Sequence, residues 1–558
     1  MDKKEYLVNK SKEIRDIIIK TVKNNGGHYS SPLGVVELTT VVYDIFDLSK
    51  DKIIWDTGHQ AYAHKINTDR KDDFHKLRKT DGISGFLDRT ESEFDLYGAG
   101  HAATSTAVSL GYCHINNIIK SKDWVISIIG DGAFSCGLSL ESLNLFNIEN
   151  VNYCLILNNN GYSISDNVGS LNQLSSYELL AKSFGFKYHK VVDGHNVDNL
   201  YEVFNNIKTL GGRHFVEVKT IKGKGDIDAE NNPVSYHAYS NSNGKVTNEF
   251  ANSFVNYIIT NKENHNLILV TPGMKSGIGL DNLHLPIPII DVGITESSAV
   301  IFSSVFSIYG WKPILHIYST FAQRAFDQFI HDIAIQNIPM LTIVDRCSLS
   351  GFEGPTHHGI LDLLIWRIFD DISVFCPSTT EDFIMILNNC INEYDKPNII
   401  RTFKGVNVEW CKLKGNKHKI LTQNTILRSE LSHIVIFTYG QISEMSINVS
   451  NILKEKHNIT ISIIEIIRII PLGMDDIYDA ITKNNNINCV IVLEEVYKHG
   501  SISEDILNYL YNNKIEILFK TFNIVKSNIK MDSRTNQLKS LGISEENIID
   551  YILSINNK

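Results

Sequence analysis

Apolar runs of strand length alternate with longer amphipathic stretches through almost the whole chain. This alternation dictates a parallel α/β architecture, because each parallel strand is reached by a crossover that must lie on a face of the sheet. It is clearest in WVISIIGDGAFSCGLSLESLNLFNIENVNYCLILNNNGYSIS, Trp124–Ser165, where two apolar runs each end in a polar cluster, Gly130-Asp131-Gly132 and Asn158-Asn159-Asn160. Asp131 and Asn160 stand 29 residues apart, which suits one strand–helix–strand unit. Both side chains are then expected at the carboxyl ends of neighbouring parallel strands, where such sheets bind ligands. Hard oxygen donors, no thiolate and a backbone open to close approach at Gly130 and Gly132 favour a magnesium-type ion bridging a diphosphate. Either cluster alone reads as an ordinary turn or loop; the pair at this spacing carries the functional reading.

The 558 residues exceed what one core supports, so about three domains are expected. A net charge of −10 argues against a nucleic-acid or anionic-membrane surface as the main partner, and any bound phosphate must meet local basic residues. No apolar run reaches the length of a spanning helix, and the N-terminal MDKKEYLVNKSKEIRD has charges but no apolar core. The 8 Cys lie scattered without CxxC spacing, so reduced thiols in a cytoplasmic protein are expected.

Three blocks separate along the chain. Residues 1–238 contain the apolar runs WVISII, YCLIL and HFVEVKTI, the last followed by Lys222-Gly223-Lys224-Gly225. After a polar stretch, Tyr239–Asn248, residues 249–412 open with a helix pattern, Glu249–Thr260, and contain LILVT, IPIIDV, ILHIYS and MLTIVD. A second polar stretch, Leu413–Gln423, precedes residues 424–558 with IVIFTYG, ISIIEI and CVIVLEE. In the second block Glu296 follows a strand and a turn and opens a helical run. Alone, a Glu there is a capping or dipole partner.

The clusters at 130–132 and 158–160 resemble the cofactor signature of thiamine-diphosphate enzymes. Longer runs extend the likeness: GGHYSSPLGVVELT (Gly26–Thr39), IIWDTGHQAYAHKI (Ile53–Ile66), TESEFDLYGAGHAATS (Thr90–Ser105), VDGHN (Val192–Asn196), IYSTFAQRAFDQFIHDIAIQ (Ile317–Gln336) and VDRCSLSGFEGPTHHG (Val344–Gly359). In this order they resemble the 1-deoxy-D-xylulose-5-phosphate synthase family of the transketolase superfamily along almost the full chain. The resemblance implies three consecutive doubly wound parallel-sheet α/β domains: a diphosphate- and metal-binding domain (1–238), a pyrimidine-binding domain (249–412) and a transketolase C-terminal domain (424–558).

It also implies thiamine diphosphate with Mg2+ held by Asp131, Asn160 and the carbonyl of Tyr162. His59, Gly100, His101, Ala102, Gly132, Ala133, Asn160 and Asp226 would line the diphosphate side, with Ile164 supporting the bent cofactor. Phe321 would stack on the aminopyrimidine; a core Phe is the competing reading. Glu296 would share a proton with the pyrimidine and so make the cofactor its own base. His28, His237 and His357 are the implied proton-handling residues, ahead of His195 and His358, which read as structural. The implied reaction decarboxylates pyruvate and joins the remaining two-carbon unit to glyceraldehyde 3-phosphate, feeding isoprenoid or thiamine synthesis. Tyr318, Arg324, Arg346, Glu353 and Lys404 would hold the phosphorylated acceptor, Arg through its two-pronged fork. For Lys404 a surface ion pair is the competing reading.

The departures from the family pattern matter. Ser297 and Ser298 replace a Gln-His pair after Glu296, Asp226 replaces a Tyr, Ala102 and Ala103 replace hydroxyl-bearing residues, Glu353 replaces an Asp and Lys404 an Arg. The usual insertion after the Asn cluster is absent, with Gly169–Leu174 passing quickly onward. These changes keep open a related synthase with another aldose-phosphate acceptor, a transketolase, or a degenerate paralogue. A homodimer is implied, with the cofactor held between the first two domains of one chain.

Overall fold

The computed structural model describes residues 2–146, 148, 150–239, 248–261, 266–280, 285–368, 371–414, 419–420, 424–475, 477–478, 487–526 and 528–556. Most of the two polar stretches expected as linkers, within 239–248 and 413–423, lies outside the described residues. The chain forms two compact units, Met1–Asn243 with Val292–Thr295, and Gly244–Asp291 with Glu296–Lys558.

The first unit is built on a five-stranded sheet in the order Lys52–Trp55, Trp124–Gly130, Asn152–Asn159, Arg213–Lys219, Lys187–Val191, parallel throughout. Its residues alternate between two apolar clusters. Trp124, Ile126, Ile128, Cys154, Ile156 and Val216 enter one, and Val125, Ile129, Tyr153, Leu155, Leu157 and Phe215 enter the other. Period-two alternation that is apolar on both faces is what a doubly wound sheet demands, since helices cover each side. A two-stranded antiparallel ribbon, Gly27–His28 with Ala238–Tyr239, joins residues from opposite ends of the unit.

The second unit holds two sheets. A seven-stranded sheet runs Arg468–Ile470, Ser373–Phe375, Asn398–Arg401, Leu341–Asp345, Lys312–Tyr318, Leu267–Thr271, Ile289–Asp291, with only the Arg468–Ile470 pairing antiparallel. A six-stranded sheet runs Lys419–Ile420, Thr425–Leu427, Ser462–Ile466, Ile434–Thr438, Cys489–Tyr497, Leu518–Ile524; its last four strands are parallel and its first two pairings antiparallel. The strand Arg468–Ile470 follows a strand of the six-stranded sheet yet closes the edge of the other. One apolar core, from Phe250 to Ile552, serves both sheets.

The apolar runs read as strands are all strands here, and Glu249–Thr260 is a helix whose Asn248 side chain accepts from Ala251 N at 3.2 Å. Strands such as Lys187–Val191 were not legible. As the edge of its sheet it has a mixed sequence, KYHKV, of which only Val191 is buried.

Candidate active site

In the first unit, Gly130 lies opposite Asn158 in parallel register, so the two polar clusters leave the sheet side by side. The Asp131 side chain is buried. One of its carboxylate oxygens accepts from Gly132 N (2.9 Å), and the other from Asn160 N (2.9 Å) and Gly161 N (2.6 Å). Burial raises its pKa against these hydrogen bonds, the condition of a carboxylate built for a cation. Of the three asparagines only Asn160 faces the turn, its Oδ1 accepting from Tyr162 N at 2.9 Å. Asn158 bridges Gln60 and Thr220, and Asn159 donates to Glu217. Glycine is required at 132, where a Cβ would lie 2.7 Å from Ser163 Cβ and 2.9 Å from Asn167 Oδ1.

The antiparallel ribbon sets His28 opposite Ala238, one residue from His237, although the two histidines are 209 positions apart. His59 completes a triangle, with ring centres 5.6 to 5.8 Å apart, and Phe86 packs edge-on to His28 at 5.2 Å. Burial, reinforced by the Lys222 charge, lowers the His59 pKa to about 3 and holds His237 well below its usual value. Both rings are therefore neutral near pH 7. Their Nδ1 atoms are buried and meet no hydrogen-bond partner among the described residues. Orphaned buried polar atoms cost free energy, on the order of 1–3 kcal/mol each, so they mark a site shaped for a polar ligand.

The segment that follows Gly100 and His101 is anchored by the buried Asp56, just after the strand Lys52–Trp55, which accepts from Ala103 N (2.8 Å) and Ser105 N (3.0 Å), with Ala103 at φ +72°. A separate buried carboxylate, Asp95, pairs with His64 (2.8 Å) and with both terminal nitrogens of Arg70 (2.8 and 2.9 Å) and accepts from Asp88 N (2.9 Å). Ala133 enters the apolar cluster of Val125 and Phe215, and the partly buried Ala102 packs against it. Ile164 lies in the turn after Tyr162, partly buried. Asp226 has a different surrounding from the one expected: it caps the helix Ile227–Asn231, accepts from Tyr29 OH (2.6 Å) and pairs with Lys23 (2.7 Å). Despite its partial burial these partners hold its pKa at about 2.

Lys222 escaped the sequence reading. It is 2% exposed, donates to Ser163 O at 2.5 Å, and burial lowers its pKa to about 8 while Asp131 and Asp166 oppose that fall. The signal was the KGKG run after an apolar strand. Asp56, one residue past its strand, carried no such signal.

In the second unit, Glu296 is the first residue of the helix Glu296–Ile308 and is buried; burial raises its pKa and the Arg324 charge opposes the rise. Ser297 Oγ donates to Arg324 O at 2.7 Å, so the hydroxyl ties the helix start to the segment bearing Arg324. Phe321 follows the strand Lys312–Tyr318, stacks on Tyr318 (5.6 Å, 11°) and meets His357 edge-on at 5.8 Å. Arg346 lies over the Tyr318 ring at 4.0 Å and reaches both Glu353 oxygens at 3.2 Å, and Lys404 Nζ lies 3.3 Å from the same carboxylate. Arg346 adopts φ +62°, an uncommon state for Arg, supported by Asp345 Oδ1 accepting from its N–H at 2.8 Å. The loop 346–359 is stapled at its back: Leu349 N to Glu495 (2.9 Å), Ser350 N to His358 Nδ1 (3.0 Å), His358 Nε2 to Ile529 O (3.0 Å) and Gln537 to Gly351 O (3.0 Å). Residues of the C-terminal block thus hold this loop in place.

The oxygen donors at 131, 160 and 162 suit a hard divalent ion. Among the described residues no group of three or more His, Cys, Asp or Glu could hold a metal, so zinc-type sites do not compete.

Residues 2–183 match the family model described as 1-deoxy-D-xylulose-5-phosphate synthase, 257–407 the transketolase pyrimidine-binding domain and 424–548 the transketolase C-terminal domain. A 1-deoxy-D-xylulose-5-phosphate synthase of Crocosphaera subtropica is 32% identical, covering 97% of this chain and 94% of its own length. Another, of Dictyoglomus turgidum, is 34% identical over 99% and 96%. The first of these alignments spans 605 positions against 558 residues here, so that relative carries internal segments this chain lacks. A solved transketolase of Campylobacter jejuni matches at 16% identity over 99% of each chain with a TM-score of 0.46.

Proposed function

Because the chain belongs to the 1-deoxy-D-xylulose-5-phosphate synthase family, we propose that it decarboxylates pyruvate and ligates the remaining two-carbon unit to glyceraldehyde 3-phosphate, giving 1-deoxy-D-xylulose 5-phosphate and carbon dioxide. The observation that carries this reading is the buried Asp131 at a strand end beside Asn160 in the first unit, together with a buried Glu296 at a helix start in the second. Thiamine diphosphate, when bound, supplies the carbanion chemistry that decarboxylation of a 2-oxo acid requires. Asp131, Asn160 and the Tyr162 carbonyl would hold Mg2+, and Lys222, His59, His101 and the backbone at Gly100, Gly132 and Ala133 would line the diphosphate end.

Glu296, whose pKa burial raises, would present its carboxyl group to a ring nitrogen of the bound cofactor, and Phe321 would fix the ring plane. His28, His237 and His357 would hand protons to and from carbonyl and hydroxyl oxygens. Tyr318, Arg324, Arg346, Glu353 and Lys404 form the acceptor pocket.

No observation favours a different acceptor. Ser297 is engaged with Arg324 O, and the Asp226 carboxylate with its cap, Tyr29 and Lys23, so neither side chain remains to redefine the substrate. We read Asp226 as structural. The exposed apolar faces at Ile115, Ile118 and Ile119 in the first unit, and at Ile301, Val305, Ile308 and Tyr309 in the second, support a homodimer that covers them. We place the enzyme in the cytoplasm; among the described residues no helix is long and apolar enough to cross a membrane.

Purified protein given pyruvate, glyceraldehyde 3-phosphate, thiamine diphosphate and Mg2+ should release carbon dioxide in an acceptor-dependent way and yield a product of the expected mass. Absence of acceptor-dependent release overturns the proposal.

A further inference from the structure

The two cations expected to meet the acceptor's phosphate already hold an anion from their own chain. Arg346 Nη1 lies 3.2 Å from both Glu353 oxygens, and Lys404 Nζ 3.3 Å from Oε1. All three side chains retain solvent access, at 24% for Arg346 and Glu353 and 42% for Lys404. Arg346 is fixed from below by the Tyr318 ring at 4.0 Å, and Gly359 passes so close that a Cβ there would lie 2.1 Å from the Arg346 carbonyl oxygen. Glu353 ends the short turn Gly351–Glu353, whose first residue is pinned by Gln537 and whose following Gly354 sits at φ +77°. Arg346 and the turn that bears the carboxylate are therefore held, while the partly exposed Glu353 side chain keeps its own rotatable bonds.

From this geometry we infer that Glu353 is a specificity-determining residue that acts as an internal competitor: its carboxylate occupies the Arg346–Lys404 pair, and only an acceptor bearing a dianionic phosphate displaces it. Together the three groups carry one net positive charge. A phosphate dianion arriving beside an undisplaced carboxylate meets like-charge repulsion, whereas with the carboxylate swung away it meets two cations. Neutral aldehydes cannot displace it and gain nothing from the pair. The carboxylate thus keeps the cations from binding adventitious monoanions, at a cost in affinity for the phosphate itself. This inference rests on the reading of the acceptor as a sugar phosphate.

The test uses the enzyme saturated with thiamine diphosphate and Mg2+, so that its diphosphate end is filled. Inorganic phosphate binding is measured by calorimetry alongside the kinetics of both acceptors, glyceraldehyde 3-phosphate and glyceraldehyde. Glu353→Gln should bind phosphate about 5- to 10-fold more tightly than the unaltered enzyme. It should lower KM for glyceraldehyde 3-phosphate far more than it changes kcat, and leave KM for glyceraldehyde unmoved. Adding Lys404→Met to Glu353→Gln should remove most of that gain. Glu353→Asp, which keeps the charge but shortens its reach, should fall between the two. Equal or weaker phosphate binding by Glu353→Gln overturns the inference even where the unaltered enzyme makes 1-deoxy-D-xylulose 5-phosphate. Failure of the unaltered enzyme to make that product overturns the proposed function instead, and the phosphate titration remains readable on its own.

Discussion

The two units keep their reactive groups ready by opposite means. In the first, three imidazoles stand 5.6 to 5.8 Å apart, and desolvation with the neighbouring Lys222 charge holds two of them, His59 and His237, neutral. In the second, Arg346 and Lys404 are paired with the Glu353 carboxylate, and that neighbouring charge keeps Arg346 protonated against its burial. Burial suits groups that must take and give protons, since it brings the pKa of a base below the working pH. Pairing suits groups that must meet an anion, since it preserves charge and leaves a partner that can be exchanged. Glu296 follows the first unit's logic although it lies in the second, which sets proton chemistry and phosphate binding apart within one unit.

The comparison breaks most severely at Glu296. Glu296→Gln should lower kcat about 10²- to 10⁴-fold, the range of a general acid–base group. The melting temperature should hold or rise, because an amide of the same shape no longer leaves a carboxyl group buried. Turnover within threefold of the unaltered enzyme would remove Glu296 from the mechanism.

Next in size is Asp95, which sits in the dry half but uses pairing. Burial would raise its pKa, yet hydrogen bonds from His64 and Arg70 and the Lys65 charge hold it below the usual carboxylate range. Asp95→Asn leaves Arg70 and Lys65 buried with one fewer counter-charge and should cost about 3–5 kcal/mol in a urea titration. A loss under 1 kcal/mol would show that the pairing there is dispensable.

His59 tests the desolvation argument through pH. Its folded pKa of about 3 lies below its unfolded value near 6.5, so the unfolded chain binds the extra proton in between. Stability is therefore fully present above about pH 6.5 and falls as pH drops toward 3, by up to about 1.4 kcal/mol per pH unit from this group. His59→Gln should flatten that slope between pH 7 and 5, read from urea midpoints; an unchanged slope would mean that the ring is not neutralised by burial.

The smallest effect is expected at the exposed end of the charged half. Lys404→Met should raise KM for glyceraldehyde 3-phosphate by less than about fivefold, the size of an exposed ion pair. The difference should shrink in high salt, whereas salt should leave the Glu296→Gln effect intact.

Much of the architecture was legible because buried parallel strands must be apolar on both faces and therefore stand out as runs. The clusters at 130–132 and 158–160 were legible for a related reason: they interrupt such runs at strand ends, where a polar residue has no structural excuse except a turn or a ligand. Edge strands such as Lys187–Val191 were hidden, since half of their surface is solvated and their composition is mixed. Within the Asn run the sequence could not say which amide faces the turn. Register decided that Asn158 and Asn159 serve neighbouring strands while Asn160 points onward.

What the sequence determined by itself was local and periodic: the strands, the helix starts at Glu249 and Glu296, and the residue types able to bind a metal diphosphate. The tertiary structure alone decided which distant groups meet. A two-residue ribbon brings His28 to His237, the buried Asp56 carboxylate anchors the segment after His101, and a turn pinned from the C-terminal block aims Glu353 at Arg346 and Lys404. Periodicity reports only the environment a residue shares with its near neighbours in the chain. Pairing of charges and desolvation of imidazoles depend on groups up to some two hundred positions away, and only the closed fold brings those within reach.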